Sequence, residues 1–374
     1  MRDKIKGLEK LAQALAPDQR ERELIRKEIV DYTENFLNKV DDLEQSLTYY
    51  KQNGKSKAIL EQAISDEPIA LSKAIEILAE SIDKEGLNPA SGGHLGYIPG
   101  GGIYTSSLGD YWADITNRYA GVFFANPGAV RMENHLLNWM RDMMGYPNTT
   151  IGNMTTGGSI ANLIAIVTAR DAKGVKAADI PKHVIYLSEQ VHHCVDKAIN
   201  IAGLRECPVR MISLDEKYRM SAAHLRETIA QDTRDGLKPF IIIASAGTTD
   251  TGAVDPINDL ADISEAHEMW FHVDAAYGGY FMLTDQGKEQ FKGIERSDSV
   301  VMDPHKGLFL PYGLGVVLIK NGLELKKAFG YEASYLQDTL QHQDEVSPAD
   351  VSPELTKHFR GLRLWLPLMI HGLK

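Results

Sequence analysis

Short apolar runs alternating with helical patterns are the feature that most limits what this chain can fold into. Residues 184–188, 209–213, 240–245, 269–274, 299–302 and 316–319 read as strands. Before and between them, residues 159–170, 192–202, 222–230 and 256–267 carry helical spacing, the last with Asp255 as its cap and Pro256 at its first helical position. Strand and helix in alternation mean an α/β fold: a mostly parallel sheet with helices on both faces, and ligands bound beyond the carboxyl ends of the strands. No internal repeat is visible.

Two amphipathic segments precede this pattern. Pro17 and Asp18 open one in which Ile25, Ile29, Tyr32 and Phe36 recur at spacings of four, three and four. A second carries Leu71, Ala74, Ile75, Leu78 and Ile82 on one stripe. Each stripe needs a covering surface, so residues 1–85 read as a helical arm that packs within the chain or against a partner subunit. The stretch 88–102, NPASGGHLGYIPGGG, breaks both periodicities and sets a boundary near residue 86. Residues 86–374 then form the main domain.

The 374 residues are 43% hydrophobic and 24% charged, with no low-complexity tract, which excludes disordered, collagen-like and coiled-coil classes. Acidic residues outnumber basic ones by 51 to 40, a formal net charge of −11. That balance speaks against nucleic acid or a membrane surface and for a small-molecule partner. Cys194 and Cys207 are too few for a disulfide framework, and the amino terminus MRDKIKGLEK lacks the apolar core of a secretory signal. The apolar runs fall short of the roughly 20 residues a membrane span needs. The expected location is the cytoplasm.

Three elements carry chemistry. The first is Thr155-Thr156-Gly157-Gly158-Ser159-Ile160-Ala161-Asn162, which runs straight into an apolar helix. Free amides at a helix start, small residues and hydroxyls make a phosphate cup; a plain tight turn with a good cap is the other reading. The second is Phe271-His272-Val273-Asp274-Ala275-Ala276-Tyr277, where Asp274 ends an apolar strand and would face the ligand edge of the sheet. A carboxylate is costly to bury there unless it meets a cation or a protonated ring. The third is the stretch 299–311, SVVMDPHKGLFLP, which sets Lys306 between an apolar strand and an apolar loop. A desolvated lysine becomes a nucleophilic amine of the kind that condenses with an aldehyde.

Together these residues make a sequence that resembles the group II pyridoxal-dependent amino-acid decarboxylases, of the aspartate-aminotransferase fold type. The likeness runs from about Gly92 to the end of the chain. It is carried most by His-Val-Asp-Ala-Ala-Tyr at 272–277 and Asp-Pro-His-Lys at 303–306. It implies pyridoxal 5′-phosphate as cofactor, with Lys306 holding its aldehyde and Asp274 pairing with its pyridine nitrogen. Gly158, Ser159 and His305 would contact its phosphate. Val-His-His-Cys-Val at 191–195 is similar to the family segment whose first histidine stacks on the ring, which implies His192. Ala-Ser-Ala-Gly-Thr-Thr at 244–249 is similar to the strand-end turn whose second threonine lies by the cofactor, which implies Thr249. Read alone, His-His-Cys suggests a metal. Three adjacent side chains diverge, however, and no second ligand cluster is near in sequence, so no metal is expected.

The reaction implied is decarboxylation of an L-amino acid to its amine and carbon dioxide, by a homodimer. Tyr97, Ile98 and Pro99 align with the family's substrate pocket and favour an apolar or aromatic side chain over a carboxylate. Arg131 stands where family members often have glutamate; it reads either as a partner for an acidic substrate or as a surface or structural ion pair. Many members have a loop tyrosine that serves the protonation step, whereas residues 336–359 contain none. His342 stands there instead, as a proton donor or as a solvated loop residue. This departure admits other chemistry at Cα, by an aldehyde synthase, a lyase or a desulfurase. Residues 366–374 resemble the family's connection into a smaller carboxyl-terminal domain, expected to be missing here, which admits a catalytically silent cofactor-binding fragment as well.

Overall fold

Consecutive residues of a strand face opposite sides of a sheet, so a strand that is apolar at every position must be covered on both faces. A computed structural model of the chain shows how these runs are covered. It describes residues 1–40, 49–50, 55–64, 66–84, 86–94, 97–98, 100–330 and 345–373. The chain divides into two units, Met1–Gly100 and Gly101–Lys374.

Among the described residues the second unit holds a seven-stranded sheet. Its strands in chain order are β1 (Ile151–Thr155), β2 (His183–Ser188), β3 (Val209–Ile212), β4 (Lys238–Ser245), β5 (Trp270–Asp274), β6 (Ser299–Met302) and β7 (Gly315–Ile319). Their spatial order is β1-β7-β6-β5-β4-β2-β3. From β6 to β3 neighbours are parallel, while β7 runs antiparallel to both β6 and β1. The mostly parallel sheet expected from the sequence is therefore present. β1 was not foreseen, because Gly152 and Asn153 interrupt its apolar character.

The helices used below are α1 (Tyr104–Thr116), α2 (Pro127–Met143), α3 (Gly158–Ala172), α4 (Cys194–Ile201), α5 (Ala222–Arg234), α6 (Ile257–Ala266), α7 (Pro304–Gly307) and α8 (Gly361–His371). On one face of the sheet α3 and α4 bury Ile164, Ile166, Val195 and Ile199 against Ile241, Ile243, Val301 and Val317. On the other, α2, α5 and α6 bury Met140, Leu225, Ile229 and Leu260 against Ile242, Phe271, Val300 and Val316. The side-chain period of two is visible within single strands: Phe271 and Val273 join the second cluster and Trp270 the first. His272 and Asp274 share the face of Trp270 and so look toward α3.

One expectation fails locally. Pro256 is the cap residue of α6 rather than its first helical residue, and Asp255 does not cap the helix with its side chain. The Asp255 carboxylate instead accepts the N–H groups of Met220 at 2.7 Å and Ser245 at 2.8 Å. Two backbone donors left over at the ends of neighbouring segments outbid the helix start for one buried acceptor.

In the first unit, Asp18 and Glu21 form a reciprocal capping box that starts the helix Gln19–Lys39. Ile25 and Ile29 on that helix are exposed. A second helix, Leu71–Leu78, runs into a π turn at Ala79–Asp83, where Asp83 accepts a hydrogen bond from Tyr32.

In the second unit α8 packs on α1, and a charged network fixes the approach to it. Glu133 on α2 and Lys357 are both buried, with Nζ 2.6 Å from Oε2. Glu133 Oε1 accepts the Gly361 N–H at 3.1 Å, at the start of α8. Removing one member of such a pair leaves a buried charge unanswered. Lys357→Met should therefore lower stability by about 3–5 kcal/mol in denaturant unfolding. Adding Glu133→Gln, which keeps an acceptor for Gly361, should recover most of that loss.

Candidate active site

The carboxyl edge of the sheet collects polar groups from several connections. β1 ends at Thr155, and α3 begins at Gly158. The Ala161 N–H bonds to the Gly157 carbonyl at 3.2 Å, so the amides of Gly158, Ser159 and Ile160 come before the helix's own ladder and lack acceptors within it. That end of a helix suits an anion. Glycine is required where this start crosses its neighbours. A Cβ on Gly158 would lie 2.9 Å from Asp303 Oδ2. One on Gly315, at the start of β7, would lie 2.5 Å from the Gly157 carbonyl carbon and 2.7 Å from Asp303 Oδ1.

Asp274, the last residue of β5, is buried. Its Oδ1 accepts the Ala276 N–H at 3.0 Å and its Oδ2 the Asn162 side-chain amide at 3.1 Å. The Asn162 carbonyl in turn meets His272 Nε2 at 2.7 Å. Burial pushes the His272 imidazole down to about 4 despite the nearby Asp274 charge, so this ring is neutral. Cys194 lies beside Asn162; burial, reinforced by Asp274, pushes its thiol up to about 11 and leaves it a poor nucleophile.

Lys306 on α7 has its Nζ 3.2 Å from Asp303 Oδ2. This corrects the apolar surroundings expected for the amine: it has a buried carboxylate as partner. Asp303 sits at the end of β6, where its N–H binds the Ala276 carbonyl and the short α7 turns Lys306 back toward it. Burial raises the Asp303 carboxyl above the usual range, with Lys306 and His305 pulling the other way. Among the described residues Asp303 Oδ1 has no hydrogen-bond partner. His305 Nδ1 donates to the Leu314 carbonyl, and its Nε2 lies 3.7 Å from Asp303.

His192 precedes α4, and its Nδ1 accepts the Cys194 N–H at 3.3 Å. Burial, then the neighbouring His193 and Lys306, lower its pKa, while Asp274 opposes them. Lys306, Asp303, His305, Gly158, Asp274 and His192 are thus drawn into one electrostatic neighbourhood. Ser159 is exposed beside Gly158. Thr249 is exposed in the turn after β4, where its buried neighbour Thr248 meets Thr251 Oγ1 at 2.8 Å. Tyr97 and Ile98 belong to the first unit; Pro99 and His342 lie outside the described residues. Arg131 pairs with Glu345 at 2.8 Å and lies 4.9 Å above the Phe123 ring; its side chain is exposed, so this is a surface ion pair.

Sequence reasoning assigns no task to Asn162, His272 or Asp303. The signal for them is that each is a polar residue in or beside an apolar element, and a buried polar group must find a partner.

The cofactor implied by the sequence presents a phosphate dianion, an aldehyde, a ring nitrogen that is charged when protonated, and an aromatic face. The residues present fit it. The helix start walled by glycine suits the phosphate, the Lys306 amine the aldehyde, and the neutral His192 ring the aromatic face. The fit is sharpest at Asp274, a buried carboxylate whose two hydrogen bonds both come from neutral groups; such a group calls for a cation.

Comparison with known proteins places the chain. Residues 53–374 match the model of the pyridoxal-dependent decarboxylase conserved domain. An aromatic-L-amino-acid decarboxylase of Bacillus atrophaeus is 37% identical over 280 residues, 75% of this chain and 58% of that protein. Tyrosine decarboxylase 2 of Narcissus pseudonarcissus is 29% identical over 332 residues, 86% of this chain and 66% of that protein. The chain thus spans about three fifths of the length of these two relatives. The crystal structure of Oryza sativa TDC with PLP and tryptamine shares the fold, with a TM-score of 0.86 at 24% identity over 95% of this chain and 75% of that one. The chain belongs to the pyridoxal-dependent decarboxylase family, and its cofactor is pyridoxal phosphate.

Proposed function

We propose that this chain carries the cofactor site of a carboxy-lyase that converts an L-amino acid with an apolar or aromatic side chain into its amine and carbon dioxide. The observation that carries the reading is the buried Asp274 carboxylate, held by neutral donors in one electrostatic neighbourhood with the Lys306 amine and the glycine-walled start of α3. The two relatives named above, decarboxylases of aromatic amino acids and of tyrosine, support the aromatic preference.

When bound, the cofactor supplies an electron sink for the pair left on Cα as the carboxylate departs. Asp274 keeps the proton on the ring nitrogen, because an opposite charge favours the charged ring. Lys306 holds the aldehyde through its amine, and Asp303 orients that amine from 3.2 Å. His192 covers one face of the ring and excludes water. The amides of Gly158 and Ser159, with His305, bind the phosphate. On the sequence resemblance alone, Thr249 is assigned beside the cofactor and Tyr97, Ile98 and Pro99 to the substrate side chain. A homodimer is part of the same proposal. The exposed row Leu108, Tyr111, Trp112 and Ile115 on α1 is an apolar face that a second copy would cover.

A second reading is favoured by one observation, the absence of tyrosine from residues 336–359. A chain without that proton donor would consume dioxygen and water and release aldehyde, carbon dioxide, ammonia and hydrogen peroxide; a phenylacetaldehyde synthase of Arabidopsis thaliana is 26% identical over 355 residues.

Borohydride treatment of the holoprotein followed by peptide mapping should recover the pyridoxyl group on Lys306; recovery on another lysine overturns the assignment. With tyrosine, tryptophan or phenylalanine as substrate, amine and carbon dioxide should appear in equal amounts. Carbon dioxide accompanied by aldehyde, ammonia and peroxide in place of the amine would establish the second reading, and retention of cofactor with no turnover would mark a silent fragment. Asp274→Asn should keep the cofactor yet lose about 100-fold or more in turnover, as expected when a preorganised electrostatic partner is neutralised. Gly158→Ala should weaken cofactor binding in titrations of the apoprotein, since the new methyl collides with Asp303.

A further inference from the structure

The Asp274 carboxylate is the end of a chain of hydrogen bonds that runs through four side chains. Trp270 Nε1 lies 2.9 Å from Ser299 Oγ, Ser299 Oγ 2.8 Å from His272 Nδ1, His272 Nε2 2.7 Å from Asn162 Oδ1, and Asn162 Nδ2 3.1 Å from Asp274 Oδ2. The fold explains the row. Trp270, His272 and Asp274 share one face of β5 by the strand's period of two. Ser299 is the register partner of His272 on β6, and Asn162 comes down from α3. All five residues are buried.

The polarity of this chain is fixed from the Asp274 end. A carboxylate only accepts, so the Asn162 NH₂ faces Asp274 and the Asn162 carbonyl faces His272 Nε2. The neutral imidazole then carries its proton on Nε2, donates it to that carbonyl and offers Nδ1 as acceptor to the Ser299 hydroxyl. Ser299 Oγ keeps a lone pair for the Trp270 indole N–H, which only donates. A reversed amide would set two oxygens against each other.

We propose that Asn162 and His272 are positioning residues for the cofactor: through the Trp270–Ser299–His272–Asn162 row they lock the Asp274 carboxylate in the rotamer that meets the pyridine nitrogen. No link in the row carries a charge, so the row itself sets no cation against Asp274. A carboxylate held on one oxygen by the Ala276 N–H and on the other by Asn162 cannot swing about its Cα–Cβ bond, and the remaining lone pairs keep a fixed direction. The row acts on the ring only through Asp274, so the inference rests on the assignment of Asp274 to the ring nitrogen.

The test uses the full chain reconstituted with pyridoxal phosphate labelled with ¹⁵N in the ring, and reads the nitrogen resonance and the cofactor dissociation constant. Asn162→Ala should move the resonance from the protonated toward the unprotonated position and weaken cofactor binding by about 10-fold or more, on the scale that misplacement of a site group produces. Ser299→Ala changes a single oxygen at the far side of His272; it should move the resonance the same way by a smaller amount. A merely structural role would lower the melting temperature of either variant and leave the resonance where it was, which would overturn the inference. If Asn162→Ala does not fold, Ser299→Ala decides alone by the same criterion. Asp274→Asn separates the two layers. If it leaves the resonance unmoved, the assignment of Asp274 itself fails and the inference with it; if it moves the resonance while Asn162→Ala and Ser299→Ala do not, only the role of the row fails.

Discussion

A carboxylate taken out of water must be compensated, and the second unit is arranged around that requirement at Asp274. The strand that delivers it is apolar because both faces of the sheet are covered, and this covering is also what strips the aspartate of solvent. Backbone geometry supplies one neutral donor, the Ala276 N–H, and α3 supplies another through Asn162. Neither neutralises the charge. What these two donors leave at the sheet edge is a buried carboxylate bonded to neutral groups, and the burial that makes such a group unfavourable in isolation makes its attraction strong when a cation arrives.

Asp303 is a second buried carboxylate in the same neighbourhood, and its circumstances differ. It has the Lys306 amine and a histidine beside it, and one of its oxygens lies against two glycines with no donor among the described residues. Two acidic side chains from adjacent strand ends are thereby given different surroundings: the hydrogen bonds of one come from neutral donors, while the other faces the Lys306 amine. Environment rather than residue type separates such pairs. The Lys306 amine is prepared by position, on a single turn of helix that returns it to Asp303, more than by the apolar character of the surrounding sequence.

Much of this was legible in the sequence, and the parts that were not share a physical cause. The strands after residue 184 could be read because burial on both faces leaves continuous apolar runs, and Asp274 and Lys306 stand out against them. β1 escaped notice because its burial is met with Gly152, where a Cβ would lie 2.5 Å from Leu318, and with Asn153, and neither residue has strand propensity. Asp255 was misread because a local pattern, Asp-Pro before a helix, has a local meaning that two distant N–H groups override. The partners Asn162, His272 and Ser299 are separated by up to 137 residues in sequence, from 162 to 299. Their relation exists only in the register of β5 with β6 and in the seat of α3 upon them. A sequence shows which polar residues sit in apolar places; the pairing among them belongs to the fold.

The reversed direction of β7 has a consequence for how the protein is made. Because β7 runs against both of its neighbours, the carboxyl ends of β1 and β6 flank its amino end, and Gly315 is where the start of α3 and Asp303 meet. The start of α3 is synthesised early, near residue 158, yet its opposite wall is not available until residues 303–319 have left the ribosome and the last strand has inserted between β1 and β6. Contacts that close loops of such length form late. A nascent chain therefore carries the start of α3 long before it carries the Asp303 and Gly315 side that closes against it.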